Sequence, residues 1–259
     1  MAQTEKLTDY VNPFVGTDGY GNVYPGAQIP FGGIQISPDT DSRFYDAASG
    51  YKYNHLTLMG FSLTHLSGTG IPDLGDFLFI PGTGEMKLEP GTHEDPDQGY
   101  RSRYSHDKEW ASPNYYAVEL ADYGVKAEMT SGVRSGMFRF TYPESDNAFI
   151  MIDMNHTLWQ SCEWSNLRMI NDSTITGYKL VKGWGPERHV YFTATFSKKL
   201  TGLRFVQDKK PVIYNTSRFR SSYEAWGKNL MACISFDTKA GEEVTVKTAI
   251  SAVSTDGAR

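Results

Sequence analysis

Apolar and polar positions alternate strictly through the second half of the chain. In VKAEMT, Val125, Ala127 and Met129 alternate with Lys126, Glu128 and Thr130, and in FRFTY, Phe138, Phe140 and Tyr142 alternate with Arg139 and Thr141. A period of two puts one set of side chains on each face of a strand, so both stretches predict half-buried strands, and SGVRSG between them predicts a hairpin turn. Further strand-like runs follow at AFIMID, STITGYKL, HVYFTATF, LRFV, PVIY, LMACISF and EVTVKTAIS, parted by turn-rich pieces such as YPESDN, KGWGPE and TKAGEE. No stretch keeps a helical period for three turns. Antiparallel strands without intervening helices must bury one face of each sheet against another sheet, which predicts an all-β chain folded as a large antiparallel β-sandwich.

The segment before Trp110 reads differently. It is richer in glycine, proline and loop chemistry, above all in VNPFVGTDGYGNVYPGAQIPFGG. Long ordered loops on a rigid scaffold are the usual place for binding residues.

Length and composition narrow the possibilities. A chain of 259 residues with 39% hydrophobic content can bury a sizeable core, and an all-β chain of this size is commonly one domain, so residues 1–259 are read as a single unit. The net charge of -5, with no basic block, removes the electrostatic term that nucleic-acid binding needs. No apolar run reaches the roughly 18 residues of a membrane helix, and MAQTEKLTDY lacks the pattern of a signal peptide. Cys162 and Cys233 do not make a disulfide framework, and two free buried thiols are expected.

Candidate chemistry is sparse. The histidines show no HxH, HxxH or HExxH spacing, which argues against zinc. Asp18 and Asn22 in GTDGYGN offer oxygen donors without the further carboxylates of a calcium loop, so no metal or cofactor is expected in this chain. FSLTHLSGTGIPDLGDF contains the residue types of a hydrolytic triad in His65, Ser67, Asp73 and Asp76, without the GxSxG elbow around Ser67. Asp73 and Asp76 also form a carboxylate pair of the kind glycosidases use, although such residues more often cap turns. Most of the five tryptophans should fill the core, and the remainder can stack on sugar rings. Trp159 and Trp164, beside Glu163 in HTLWQSCEW, read as a loop packed onto the sandwich.

Several long motifs occur together and in order: VNPFVGTDGYGNVYPGAQIPFGGIQISPDTD, SGYKY, GFSLTHLSGTGIPDLGDFLFIPG, SHDKEWASPNYYAVELADYGVKAEMTSGVRSGMFRFTYP, IDMNHT and GWGPERHVYFTATFSKKL. They resemble the N-terminal part of the family-92 glycoside hydrolases, exo-acting inverting α-mannosidases found mostly in bacteria. The resemblance implies an N-terminal β-sandwich joined to a larger C-terminal (α/α)6 domain, with the active site in the cleft between them. It places the catalytic carboxylates and a calcium ion in that second domain. No catalytic residue is then expected in this chain, and the chain alone is not expected to hydrolyse mannosides.

The resemblance also assigns substrate contacts. Loops equivalent to GTDGYGNVYPGA and SRFYDAASGY close one side of the mannose pocket, with Gly26 contacting sugar through its backbone and Asn22 and Tyr24 lining the same loop. Tyr45 should face the leaving-group side and Asp46 should support that loop, while Asp18, His65 and Asp73 stand behind the contact residues. FYDAASGY places Tyr45 where many members carry Trp, and GYGN stands where GHGH is common, so the linkage preference is left open. The implied partners are α-mannosides or mannose-containing glycans and the (α/α)6 domain of the same protein. The implied location is periplasmic, secreted or cell-surface, with an export signal ahead of Gln3. Two other readings compete: a stand-alone carbohydrate-binding module with its own aromatic platform, and a self-contained hydrolase using Asp73 or Asp76 as its acid.

Overall fold

The structure, a computed structural model, describes residues 6–43, 45–213 and 224–259. With strands numbered along the chain, one sheet runs in the order β1 (Ala27–Gln28), β2 (Gln35–Asp39), β4 (Gly60–Ser62), β5 (Leu78–Thr83), β11 (Ser145–Asp153), β18 (Leu230–Thr238), β15 (Gly202–Gln207) and β16 (Lys210–Pro211). The other runs β17 (Glu224–Gly227), β12 (Ser161–Asn171), β13 (Thr174–Lys182), β14 (Arg188–Phe196), β19 (Glu242–Ser251), β10 (Ser135–Tyr142), β9 (Val125–Ser131), β8 (Tyr115–Leu120) and β7 (Glu109–Ser112). A small pair, β3 (Thr57–Leu58) with β6 (Ser102–Arg103), lies apart from both. All pairings are antiparallel, and the only helical elements among the described residues are short 3-10 turns. This is the expected sandwich.

Alternation fixes the register. Phe138 pairs with Met129 on one side and Val246 on the other, and Phe140 with Ala127 and Val244, so six apolar side chains of three strands share the inner face. A slip of one residue would turn the whole set to solvent. The sheets meet through aromatic contacts: Phe79 lies 4.9 Å from Phe138, and Phe77 4.4 Å from Phe192, centroid to centroid. Each fully buried phenylalanine contributes about 1.5–3 kcal/mol.

The run AFIMID is apolar without interruption because β11 is covered on both faces. Ala148, Ile150 and Ile152 face the other sheet, whereas Phe149 and Met151 join Leu78, Ile80 and Met231 on the outer face, beneath Tyr100, Met86 and Leu88 of the excursion between β5 and β6. Cys162 and Cys233 are free and buried, as expected.

Three expectations need correction. The tryptophans do not fill the core, for Trp110, Trp159, Trp164, Trp184 and Trp226 are all 44–68% exposed. PVIY is not a full strand: only Lys210–Pro211 pairs, in a two-residue β16, and Tyr214 lies outside the described residues. The second half of HTLWQSCEW is not a loop, because it opens β12, an eleven-residue strand. The rest of β12 hid from the sequence because its alternation is broken by irregularities between Cys162 and Trp164 and between Met169 and Asn171.

Candidate functional site

Four segments outside the strands are joined by backbone hydrogen bonds into a closed ring. Tyr53 N–H donates to Thr17 C=O at 3.0 Å, and Gly68 N–H to Asn22 C=O at 2.8 Å. Leu158 N–H donates to Leu74 C=O and Trp159 N–H to Ser42 C=O, both at 3.0 Å. Residues 16–26, 41–55, 65–76 and 155–160 therefore hold one another. Lys52, buried, also donates its ammonium to the Gly19 carbonyl. Buried backbone groups need such partners, so the ring is a defined structure despite its glycine content.

Two buried charged clusters support the ring. The Asp39 carboxylate, at the end of β2, receives Nε2 of His65 on Oδ1 and Nε2 of His156 on Oδ2, each at 2.8 Å. The second ring nitrogen of His65, Nδ1, lies 2.7 Å from the Gln35 carbonyl oxygen, so both ring nitrogens are engaged. Burial alone would push the Asp39 carboxyl up. Attraction to His65, with hydrogen bonds from His156 and His65, outweighs it and holds the group well below the usual carboxylate range.

The second cluster centres on Asp76, which receives Lys179 at 3.1 Å, Arg188 at 2.5 Å and the Thr64 hydroxyl at 2.7 Å. Lys179 is fully buried and also donates to the His156 carbonyl at 2.6 Å, linking the two clusters. Here too burial works to raise the carboxyl, and the charges of Lys179 and Arg188 overcome it and depress the group.

These contacts decide between chemistries. A general acid must hold its proton near the working pH, and Asp76 is held ionised, so the structure gives it the opposite of what a glycosidase acid requires. Asp73 accepts the N–H of Leu74 at 2.6 Å, the geometry of a turn. A triad around Ser67 fails as well, because His65 is committed to Asp39 and Gln35. Ser62 lies 3.1 Å from His65, but on the same nitrogen that meets Asp39, whereas a triad needs serine and carboxylate on opposite nitrogens.

The structure sorts the other expected residues by depth. Asp18, Tyr45 and Asp46 are exposed on the ring. Phe44, beside Tyr45, lies outside the described residues. Tyr24 is turned inward, its ring 5.1 Å from His65 and its hydroxyl held by Gln28, and burial pushes that hydroxyl's pKa up. Gly26 is glycine for a local reason, since a Cβ there would stand 2.0 Å from the Ile36 carbonyl oxygen. Asn22 occupies a left-handed conformation with φ of 50° and is 9% exposed, and its Oδ1 finds no partner among the described residues. Sequence reasoning missed Asp39, His156, Lys179 and Arg188.

Beside the ring, a cavity of about 620 Å3 is lined by Arg43, Tyr100, Asp153, Asn155, His156 and Lys209, among others. Burial pushes the Asp153 carboxyl up, against the pull of His156. No group of three His, Cys, Asp or Glu side chains among the described residues is placed to hold a metal ion. No helix among the described residues is long and apolar enough to cross a membrane.

Comparison with solved structures returns the same architecture. An inverting mannosidase of family 92 from Bacteroides thetaiotaomicron superposes with a TM-score of 0.80 at 24% identity, over 100% of this chain and 33% of its own. A second family-92 glycosyl hydrolase also gives 0.80, at 26% identity over 98% of this chain and 34% of its own. A protein described as an uncharacterized secreted glycosidase, from Arthroderma benhamiae, is 30% identical over 139 residues, which are 53% of this chain and 17% of that protein. The chain thus spans about a third of the solved proteins it matches and less of the curated one. The family model for the glycosyl hydrolase family 92 N-terminal domain matches residues 10–251, almost the whole sandwich with its ring of loops, and the chain belongs to that family of glycoside hydrolase domains.

Proposed function

We propose that the ring of loops forms one wall of the sugar-binding site of an exo-acting inverting α-mannosidase, which removes terminal α-linked mannose from glycans. Asn22, Tyr45 and Asp46 face the sugar. Gly26 and Tyr24 shape the loop beneath them, and Asp18, His65 and Asp73 hold the neighbouring backbone. The general acid, the base and calcium come from a C-terminal (α/α)6 domain, so this domain supplies recognition and no catalytic carboxylate. The parent acts outside the cytoplasm, in the periplasm or at the cell surface, in keeping with the secreted relative.

The observation that carries this reading is the orphaned Oδ1 of Asn22. A shielded acceptor without a donor costs about 1–3 kcal/mol, and a substrate hydroxyl would supply that donor. The exposed phenol of Tyr45 adds a surface on which a sugar ring can pack.

The test is calorimetric titration with mannose and an α-mannobiose, using this chain alone and mixed with a separately produced helical domain and calcium. Mannose release is expected only in the mixture, and Asn22→Ala should lower kcat/KM at least tenfold while the isolated domain keeps its melting temperature within a few degrees. Hydrolysis by the helical domain alone at the rate of the mixture would overturn the proposal.

A further inference from the structure

The outer face of the nine-stranded sheet is divided into two chemically distinct halves. Across β7 to β10 it is laced with ion pairs: Arg139 with Glu128 at 2.7 Å, Lys108 with Glu119 at 2.9 Å and Lys126 with Glu128 at 3.4 Å. That is an ordinary solvated surface. Across β17, β12, β13 and β14 the middle of the face is aromatic or uncharged, flanked by Arg168 and Glu224 in the row on one side and by Lys182 on the other.

Register lays these positions out in two rows. Trp226 is opposite Asn166, Asn166 opposite Tyr178, and Tyr178 opposite Tyr191, one row across four strands. Trp164 is opposite Leu180, and Leu180 opposite His189, the adjacent row. Tyr178 and Tyr191 lie 4.9 Å apart, Tyr178 stacks on His189 at 5.9 Å, and the Tyr178 hydroxyl is 3.0 Å from His189 Nδ1. Trp164 and Trp226 remain 46% and 55% exposed.

The exposure of Trp164 depends on a specific device. Cys162 faces the core opposite Val181, so unbroken alternation would turn Trp164, two residues on, into the core as well. The bulge between them turns the indole out to the face of Trp226, and re-aiming a side chain is what such bulges do. An indole brought out by a bulge, beside a second one on the neighbouring strand, needs a use.

We propose that this half-face is a second saccharide-binding surface, which takes a neutral glycan chain lying across the strands with its pyranose rings on Trp164 and Trp226. A pyranose offers an apolar face of C–H groups, which stacks on an aromatic ring, and a rim of hydroxyls, which needs neutral donors and acceptors beside the rings. Tyr178 and His189 supply such groups on the two strands beyond Trp164, whereas Asn166, opposite Trp226, is buried and donates its amide to the Ala225 carbonyl at 3.1 Å. Neither row carries an acidic residue, a lysine or an arginine, which suits an uncharged ligand. The row from Trp226 to Tyr191 covers three strand spacings, roughly 14 Å, which suits a short oligosaccharide better than one sugar. The inference is independent of the mannosidase reading, for it needs neither the second domain nor mannose.

Affinity electrophoresis of this chain through gels containing soluble mannan, galactomannan or xyloglucan tests it, with titration of matching oligosaccharides for affinity. At least one polymer should retard the chain. Trp164→Ala and Trp226→Ala should each weaken binding tenfold or more, whereas Trp164→Phe keeps most of it. Trp110→Ala, on the charged half of the same face, should leave it unchanged. No retardation by any polymer, or equal loss in Trp110→Ala, would overturn the proposal. So would protection of both indoles from acrylamide quenching in the full-length parent, which would make the face a contact between its domains.

Discussion

The ring of loops and the layer beneath it use the same residue types for opposite ends. Beneath, Asp39 and Asp76 are fully buried, and both oxygens of each are matched by cationic or histidine nitrogens. On the ring, Asp18 and Asp46 are exposed, and neither enters an ion pair among the described residues. Carboxylates below fix geometry; those above remain free to meet a ligand. The glycine-rich loops thus hold one shape through a few buried side chains of their own, His65, Asp76, His156 and Lys52, and leave their exposed carboxylates out of that work. The cost is carried by buried charges, which are favourable only while every partner is present.

Acid should break that division most severely, since it acts on both clusters at once. Asp39 and Asp76 are depressed below their ordinary 3.8 in the folded chain, so the unfolded chain binds these protons more tightly. Their contribution to stability is present above the ordinary value and is lost as pH falls through and below it. The urea midpoint should stay level from neutral pH to about 5 and drop steeply below about 4. Molar salt should not restore it, because buried pairs are weakly screened. A midpoint that stays level to pH 3 would remove the clusters from the account of stability.

Single substitutions separate the layers further. Asp76→Asn leaves Lys179 buried without its counter-charge and should cost about 3–5 kcal/mol, a fall in Tm of roughly 6–20 °C. Asp73→Asn, three residues earlier, loses at most one hydrogen bond to a backbone N–H and should cost about 1 kcal/mol. Equal losses in the two variants, measured by urea unfolding, would mean that Asp76 is no more structural than its neighbour.

The two layers were unequally legible in the sequence. The sandwich announced itself through alternation, and the loops through their glycine and their family motifs. The clusters did not, because their partners come from distant segments: His156 lies 117 residues from Asp39, and Arg188 112 residues from Asp76. One signal was available. In STITGYKLVK, Lys179 shares the parity of Ile175 and Val181, so a strand with those residues inward must carry its lysine inward too. Asp39, in a turn-like SPDTD, gave no comparable sign. Trp164 read as part of a loop because a bulge interrupts the alternation of its strand.

The smallest structural effect is expected where the functional effect should be largest among these variants. Tyr45 begins a three-residue 3-10 turn, is 53% exposed, and has its hydroxyl near Gly70 of the 65–76 segment. Outside the buried layer, Tyr45→Ala should change stability by no more than about 0.5 kcal/mol. In the reconstituted two-domain protein it should lower kcat/KM about tenfold on α-mannobiose and much less on a mannoside with a small leaving group, as the proposed place of the phenol on the leaving-group side requires. A variant that loses stability but treats both substrates alike would return Tyr45 to the supporting layer, and the division between a ring that recognises and a base that supports would have to be redrawn.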